Sequence, residues 1–317
     1  MDIKKKITPK GIYEVLLAAV NGFIDDKCMK MSASLAYYTI FSIGPLLLII
    51  IWCIGVFFGN QEKSATDDIM QEFSEFFGAD VAQQAMSMIR KIDLNQKSHI
   101  GITIGIITLM ISSTTIFIDI QDSLNTIWKV KAKPKKGWLK LIINRLISFS
   151  MVLGLGFLLI SSLLLNAIIA SLTNYLSFIF ENLSINMIDW INTGITFLVT
   201  TSLFGFIFSF LPDAKVRFKD ILGGALFTSL LFMLGRYLIT YYLQVTAASS
   251  AYGAAGSIIV LLLWIYYSAA ILYFGAEFTK EVAHRFGNGI KPSSFAVRVE
   301  ELEIASTASD KDSKEKL

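Results

Sequence analysis

MSASLAYYTIFSIGPLLLIII, residues 31–51, carries no charge and ends in an aliphatic run, yet its first half is small residues and tyrosines and a Gly44–Pro45 pair interrupts it. An export signal has a short basic region, a brief apolar core and a cleavage site close to its start. Here the uncharged run begins only at residue 31 and continues to residue 61. It is therefore expected to be a retained first membrane span. Pro45 lacks an N–H and its ring disturbs the carbonyl of Phe41, so a kink is expected between them. Lipid offers no donor to that freed carbonyl, which has to be satisfied by protein or by cavity water. The small residues Ser32, Ala33, Ala36 and Ser42 let a neighbouring helix approach, and Tyr37 and Tyr38 are expected at the inner headgroups.

The rest of the chain has the same character. Of 317 residues, 54% are apolar and only 17% charged, with a mean hydropathy of +0.59. That composition excludes the soluble globular class. A helix needs about 20 apolar residues to cross about 30 Å of hydrocarbon, and the uncharged stretches divide into six such helices. They run about 33–58, 100–119, 143–169, 187–210, 221–243 and 252–276. The cut between the last two falls in Gln244-Val-Thr-Ala-Ala-Ser-Ser250, which is small, polar and turn-prone. The fold class is thus an all-α polytopic membrane protein with six transmembrane helices.

Loop charge sets the orientation. Residues 1–30 hold Lys4, Lys5, Lys6, Lys10, Lys27 and Lys30. The connection after span two holds Lys129, Lys131, Lys133, Lys135, Lys136 and Lys140, and the one after span four Lys215, Arg217 and Lys219. From Lys280 onward come seven more basic residues. Residues 59–99 instead carry four basic against seven acidic residues, and the other two odd connections carry no basic residue. Both termini are expected in the cytoplasm, with the protein multi-pass in the cytoplasmic membrane. Residues 1–30 form a cytoplasmic amphipathic segment, because Ile12, Val15, Leu16, Ala19, Val20, Phe23 and Ile24 recur at helical spacing over 9–30. That helix can lie on the cytoplasmic face or pack against the bundle. Residues 61–98 read as an external helical hairpin broken at Gly78–Ala79. Residues 287–317, ending SDKDSKEKL, show no apolar repeat and are expected to be disordered.

Chemistry is sought among the residues that do not belong in lipid. Arg236, in the outer half of span five, is expected either to snorkel to the headgroups or to face an internal cavity, with Asp189 and Asn166 as partners at similar depth. Trp264, Tyr266 and Tyr267, near the middle of span six, need partners for their N–H and O–H groups and are expected to point into the bundle. With Pro45, these residues outline a candidate pathway. Asp119, Asp122, Arg145 and Glu277, at the inner ends of spans two, three and six, are candidates for a cytoplasmic charge cluster. Gly101-Ile-Thr-Ile-Gly105, Gly223-Gly224-Ala225 and Gly253-Ala-Ala-Gly256 are close-packing faces.

Enzyme constellations are missing. The histidines, His99 and His284, fall on opposite sides of the predicted membrane, and the sequence contains no nucleophile elbow, zincin or Walker motif. Cys28 and Cys53 lie at different depths and are not expected to pair. No catalytic residue, metal site or cofactor is expected.

Four separated motifs resemble the YihY/BrkB family of inner-membrane proteins, once labelled ribonuclease BN. They are Ser34-Leu-Ala-Tyr-Tyr-Thr-Ile-Phe-Ser-Ile-Gly-Pro45; Gln121-Asp-Ser-Leu-Asn-Thr-Ile-Trp128; Leu211-Pro-Asp-Ala-Lys-Val-Arg217 with Gly223-Gly224-Ala225; and Tyr252-Gly-Ala-Ala-Gly-Ser257 through Phe274-Gly-Ala-Glu277. The resemblance implies six membrane helices and a cell-envelope role; serum resistance and suggested transport or envelope-lipid movement attach to relatives. The expected activity is that of a transporter or flippase-like permease, with a non-transporting scaffold as alternative and a nuclease as a remote third. The expected partners are the lipid bilayer and a small solute, ion or lipid, with homo-oligomerisation possible. Nucleic acid is not expected, because positive-inside topology already accounts for the basic loops.

Overall fold

The computed structural model of the chain describes residues 8–41, 115–133, 185–246 and 256–300. Helix α1 (Pro9–Asp25) starts where Thr8 accepts the Gly11 N–H on its side-chain oxygen (3.2 Å) and Pro9 occupies the first turn, where a missing N–H costs nothing. It stops at Lys27, whose φ of 55° turns the chain into α2, residues 28–41. Helix α3, residues 115–127, ends at a second left-handed residue, Lys129, and feeds strand β1 (Val130–Ala132). Then follow α4 (Ile185–Phe210), β2 (Ala214–Lys215), α5 (Phe218–Thr246), α6 (Gly256–Arg285), β3 (Lys291–Pro292) and β4 (Ala296–Arg298).

Helices α4 and α5 coincide with the expected fourth and fifth spans within a few residues. Helix α6 begins close to the expected sixth span but runs on to Arg285, past the expected end at 276, because Glu277-Phe-Thr-Lys-Glu-Val-Ala favours helix after the apolar run stops. The described parts of spans one and two are α2 and α3. Span three, the hairpin 61–98, and Pro45, Arg145 and Asn166 lie outside the described residues.

Among the described residues, two helical stretches are long and apolar enough to cross a membrane, Phe218–Leu238 and Leu261–Arg285, and a shorter apolar one is Thr196–Phe210. Helix α5 shows which surface meets lipid. Phe218, Leu222, Leu226, Leu230, Leu234 and Leu238 recur every fourth residue and all are exposed. This apolar row covers about 30 Å at 1.5 Å per residue, the depth of the hydrocarbon. Alongside it run the buried rows Asp220, Gly224, Thr228 and Ile221, Ala225, Ser229, which meet α4 and α6.

The α5–α6 contact is a reciprocal glycine–threonine seam. A Cβ placed at Gly224 would overlap Thr279, and one placed at Gly275 would overlap Thr228. Each threonine hydroxyl donates within its own helix, Thr228 to Gly224 O and Thr279 to Gly275 O, both at 2.7 Å. The side chain thus enters the facing glycine gap with its polar atom already satisfied. Phe227 and Phe278 stack beside it with centroids 3.8 Å apart. Further outward, Tyr267 fills the space above Gly235, and Phe232 meets Trp264 edge-on at 6.2 Å.

Helix α1 packs antiparallel along the last turns of α6. Gly11 lies against Phe286, Glu14 pairs with Arg285, Gly22 lies against Glu277, and Phe23 meets Phe274 edge-on at 5.8 Å. Of the two placements open to this segment, docking on the bundle is the one adopted. Gly11, Val15 and Ala19 are buried by it, while Tyr13, Leu17, Val20 and Ile24 form an exposed row on the other side.

The tail corrects an expectation. Read as disordered from Gly287, it forms two strands within 287–300. Strand β3 pairs antiparallel with β2, and β4 pairs antiparallel with β1. Gly289, at φ 71°, makes the turn and closes it by donating its N–H to Ala283 O (2.8 Å). Ser293 N–H donates to Asp213 O, Lys133 N–H to Phe295 O and Val299 N–H to Lys129 O. The tail thereby holds both basic connections. Residues beyond 300 lie outside the described set.

Gly223 and Gly224 provide an internal control for the seam, because nothing lies within 4 Å of a Cβ at Gly223. Gly223→Ala is expected to stabilise the protein by about 0.5–1 kcal/mol through helix entropy. Gly224→Ala is expected to destabilise it by about 1–3 kcal/mol through overpacking. Thermal melting of both variants in the same detergent measures the difference.

Candidate functional site at the cytoplasmic end

Ser34, the Gln121–Trp128 run, Asp213 and Ala276–Glu277, one part of each motif, are far apart in sequence but meet at one end of the bundle. Asp213, in the turn after α4, is buried and turned toward α3. Its two carboxylate oxygens accept from Gln121 Nε2 (3.1 Å) and Asn125 Nδ2 (2.9 Å), and its own N–H donates to Asn125 Oδ1 (2.8 Å). Asn125 thus both gives and receives. Three residues further, Trp128 Nε1 donates to Ala276 O on α6 (3.1 Å), while its ring packs near Phe208 of α4. At the α2–α3 contact, Ser34 Oγ donates to Asp119 Oδ1 (3.1 Å).

Beside this network lies a cluster of four charged groups, enclosed except for the half-buried Lys129. Asp26, in the α1–α2 turn, takes Lys129 Nζ on one oxygen (2.5 Å) and Lys280 Nζ at 3.5 Å on the other. Lys280 also meets Glu277 Oε2 at 2.5 Å. Glu277 is fully enclosed, its carboxylate set against Gly22, where any side chain would collide with it. Two acids and two lysines meet here, so each enclosed charge has a group of opposite sign within reach. Burial works to raise the Asp26 carboxyl, but Lys129, the Glu277 contact and Lys280 outweigh it and hold Asp26 below the usual carboxylate range. Its ion pairs therefore contribute at neutral pH and are lost as pH falls through and below that range. Cys28 sits next to the cluster as a free, buried thiol. Burial, followed by the Glu277 and Asp26 carboxylates, pushes it up to about 12.

The candidate residues are distributed differently from one another. Glu277 joins Lys280 and Asp26, Asp119 joins Ser34, and Asp122 is exposed. Trp264 and Tyr267 face α5, whereas Tyr266 donates its hydroxyl to Met29 Sδ (3.4 Å) near the start of α2. Arg236 is exposed on α5, two residues from the outer end of the lipid-facing row, a depth from which its head reaches the headgroups. Asp189 falls on α4, with its side chain outside the described residues. Sequence reasoning counted Lys129 and Lys280 only as loop charges, gave Asp26 no role, and missed their convergence. The pairing of Asp213 with Asn125 lay within quoted motifs, but no local spacing connects residues 88 apart.

Span-length helices with a lipid-facing row, joined by basic connections, define a multi-pass integral membrane protein. Comparison with known proteins agrees and narrows the class: the chain belongs to the virulence factor BrkB family, whose model matches residues 19–298. It is similar to a UPF0761 membrane protein of Alcanivorax borkumensis, 29% identical over 274 residues that cover 85% of this chain and 60% of the relative. A UPF0761 membrane protein of Psychromonas ingrahamii is 27% identical over 277 residues, 85% of this chain and 88% of that one. One from Pseudomonas paraeruginosa is 25% identical over 257 residues, 80% of this chain and 59% of its own length. The chain thus spans about 60% of some curated relatives and most of another. No solved structure matches it.

Two outcomes test this geometry. Asp213→Ala leaves two buried amides without their acceptor and is expected to lower stability by about 2–4 kcal/mol in detergent melts. In a Cys53→Ser background, Cys28 is expected to resist maleimide at pH 7.5 in the folded protein and to label within minutes once the protein is denatured, as mass spectrometry reads directly.

Proposed function

We propose that this BrkB-family protein is a permease of the cell envelope, of transporter or flippase type, that moves a small solute, ion or lipid without catalysing a covalent reaction. The observation that carries the reading is Glu277. It is fully buried on a span-length helix, with its carboxylate set against Lys280 and Asp26. Ionisable groups enclosed among membrane helices are costly and usually mark pathways or relays. Ser34 and Asp119 add a polar contact between α2 and α3. Arg236 belongs at the opposite, outer end of such a pathway.

A scaffold that binds an envelope-assembly partner is the second reading, favoured by the exposed row Tyr13, Leu17, Val20 and Ile24 on α1. A nuclease is the remote third.

The purified protein in liposomes is expected to move at least one of three probes: a labelled phospholipid, protons or potassium. Glu277→Gln is expected to cut that flux at least about tenfold, equivalent to about 1.4 kcal/mol, and Arg236→Leu to reduce it less. Wild type that moves none of these, with both variants indistinguishable from it in cells, would remove the permease reading. Capture of a partner that disappears on Leu17→Glu would then favour the scaffold.

A further inference from the structure

The tail strands place two lysines face to face. In the antiparallel pairing of β2 with β3, Lys215 is directly opposite Lys291, and both are exposed. Directly opposed residues in an antiparallel pair project from the same face a few ångströms apart, and like charges there oppose the pairing. The nearby carboxylates face other partners: Asp213 accepts from Gln121 and Asn125, and Asp220 Oδ1 takes Arg217 (2.8 Å). Among the described residues, no acidic side chain pairs with Lys215 or Lys291.

Depth supplies the second half of the argument. The lipid-facing row of α5 begins at Phe218, which is exposed and lies three residues after Lys215. The lysine pair therefore stands where hydrocarbon gives way to headgroups, with exposed Lys219 beside it. An apolar residue immersed next to paired cations is the pattern of a leaflet contact, in which the stem and the neighbour sit in lipid and the charge meets phosphate.

We propose that the β2–β3 pair, with Lys215 and Lys291 as its clamp, is a docking surface for the phosphate headgroups of anionic lipids in the cytoplasmic leaflet. The anion relieves the opposed charges and ties the tail to the membrane surface. The surface is independent of the permease reading, since it uses neither Glu277 nor Arg236.

The test uses the full-length protein in neutral-lipid nanodiscs, titrated with phosphatidylglycerol and read by native mass spectrometry. Lys215→Gln with Lys291→Gln is expected to weaken retention about 25-fold, from about fivefold for each lysine at an anionic surface. Lys215→Arg with Lys291→Arg is expected to bind as wild type, and both pairs to melt as wild type in neutral lipid. Unchanged retention in the glutamine pair overturns the proposal. So does displacement of the lipid by millimolar inorganic phosphate, which would mark a free-anion site, or by an equal concentration of an RNA oligonucleotide, which would mark a nucleic-acid surface.

Discussion

Two helices approach closely in lipid only if their side chains allow it, because apolar area gains nothing from leaving one hydrocarbon for another. The α5–α6 seam meets that requirement with glycine facing threonine twice. The threonines satisfy their hydroxyls on their own helices, so no polar atom is stranded at the contact. Everything else in the described fold hangs on this pair. Helix α4 takes the other buried row of α5, and α1 packs along the C-terminal end of α6, whose length past the apolar run gives it a surface to dock on.

At the lysine-rich end the logic changes from shape to charge. The Asp213–Asn125 exchange joins α3 to the α4–α5 turn, and Trp128 joins α3 to α6, so the ends of helices that are distant in sequence are fixed by directional bonds. Glu277, Lys280, Asp26 and the half-buried Lys129 then meet beside these bonds. Such a set is sensitive to the loss of any one member, because the remaining charge is left unpaired in a poor dielectric.

The long apolar runs made α4, α5 and the body of α6 legible from residue order alone, and the alternation of lysine-rich connections predicted which ends share a side. Less was legible where a contact depends on helical phase or on distant partners. Gly223-Gly224 announced a small surface, but only the position of Thr279 decides which glycine is filled. Asp213 and Asn125 are 88 residues apart, and the sequence between them does not say that they meet. The tail misled for a different reason. Phe295, Val297 and Val299 do alternate, but over too few residues to stand out from a polar, charged segment, and strands this short are held by their partners rather than by propensity.

The pairing of β3 and β4 with connections made much earlier sets an order of assembly. Strand β1 has to wait for residues 296–298 and strand β2 for residues 291–292, so neither can pair until α6 has left the ribosome. During synthesis, at about 5–20 residues per second, the growing chain spends several seconds with its inner face open. Closure of that face is a late event that reports completion of the membrane helices before it.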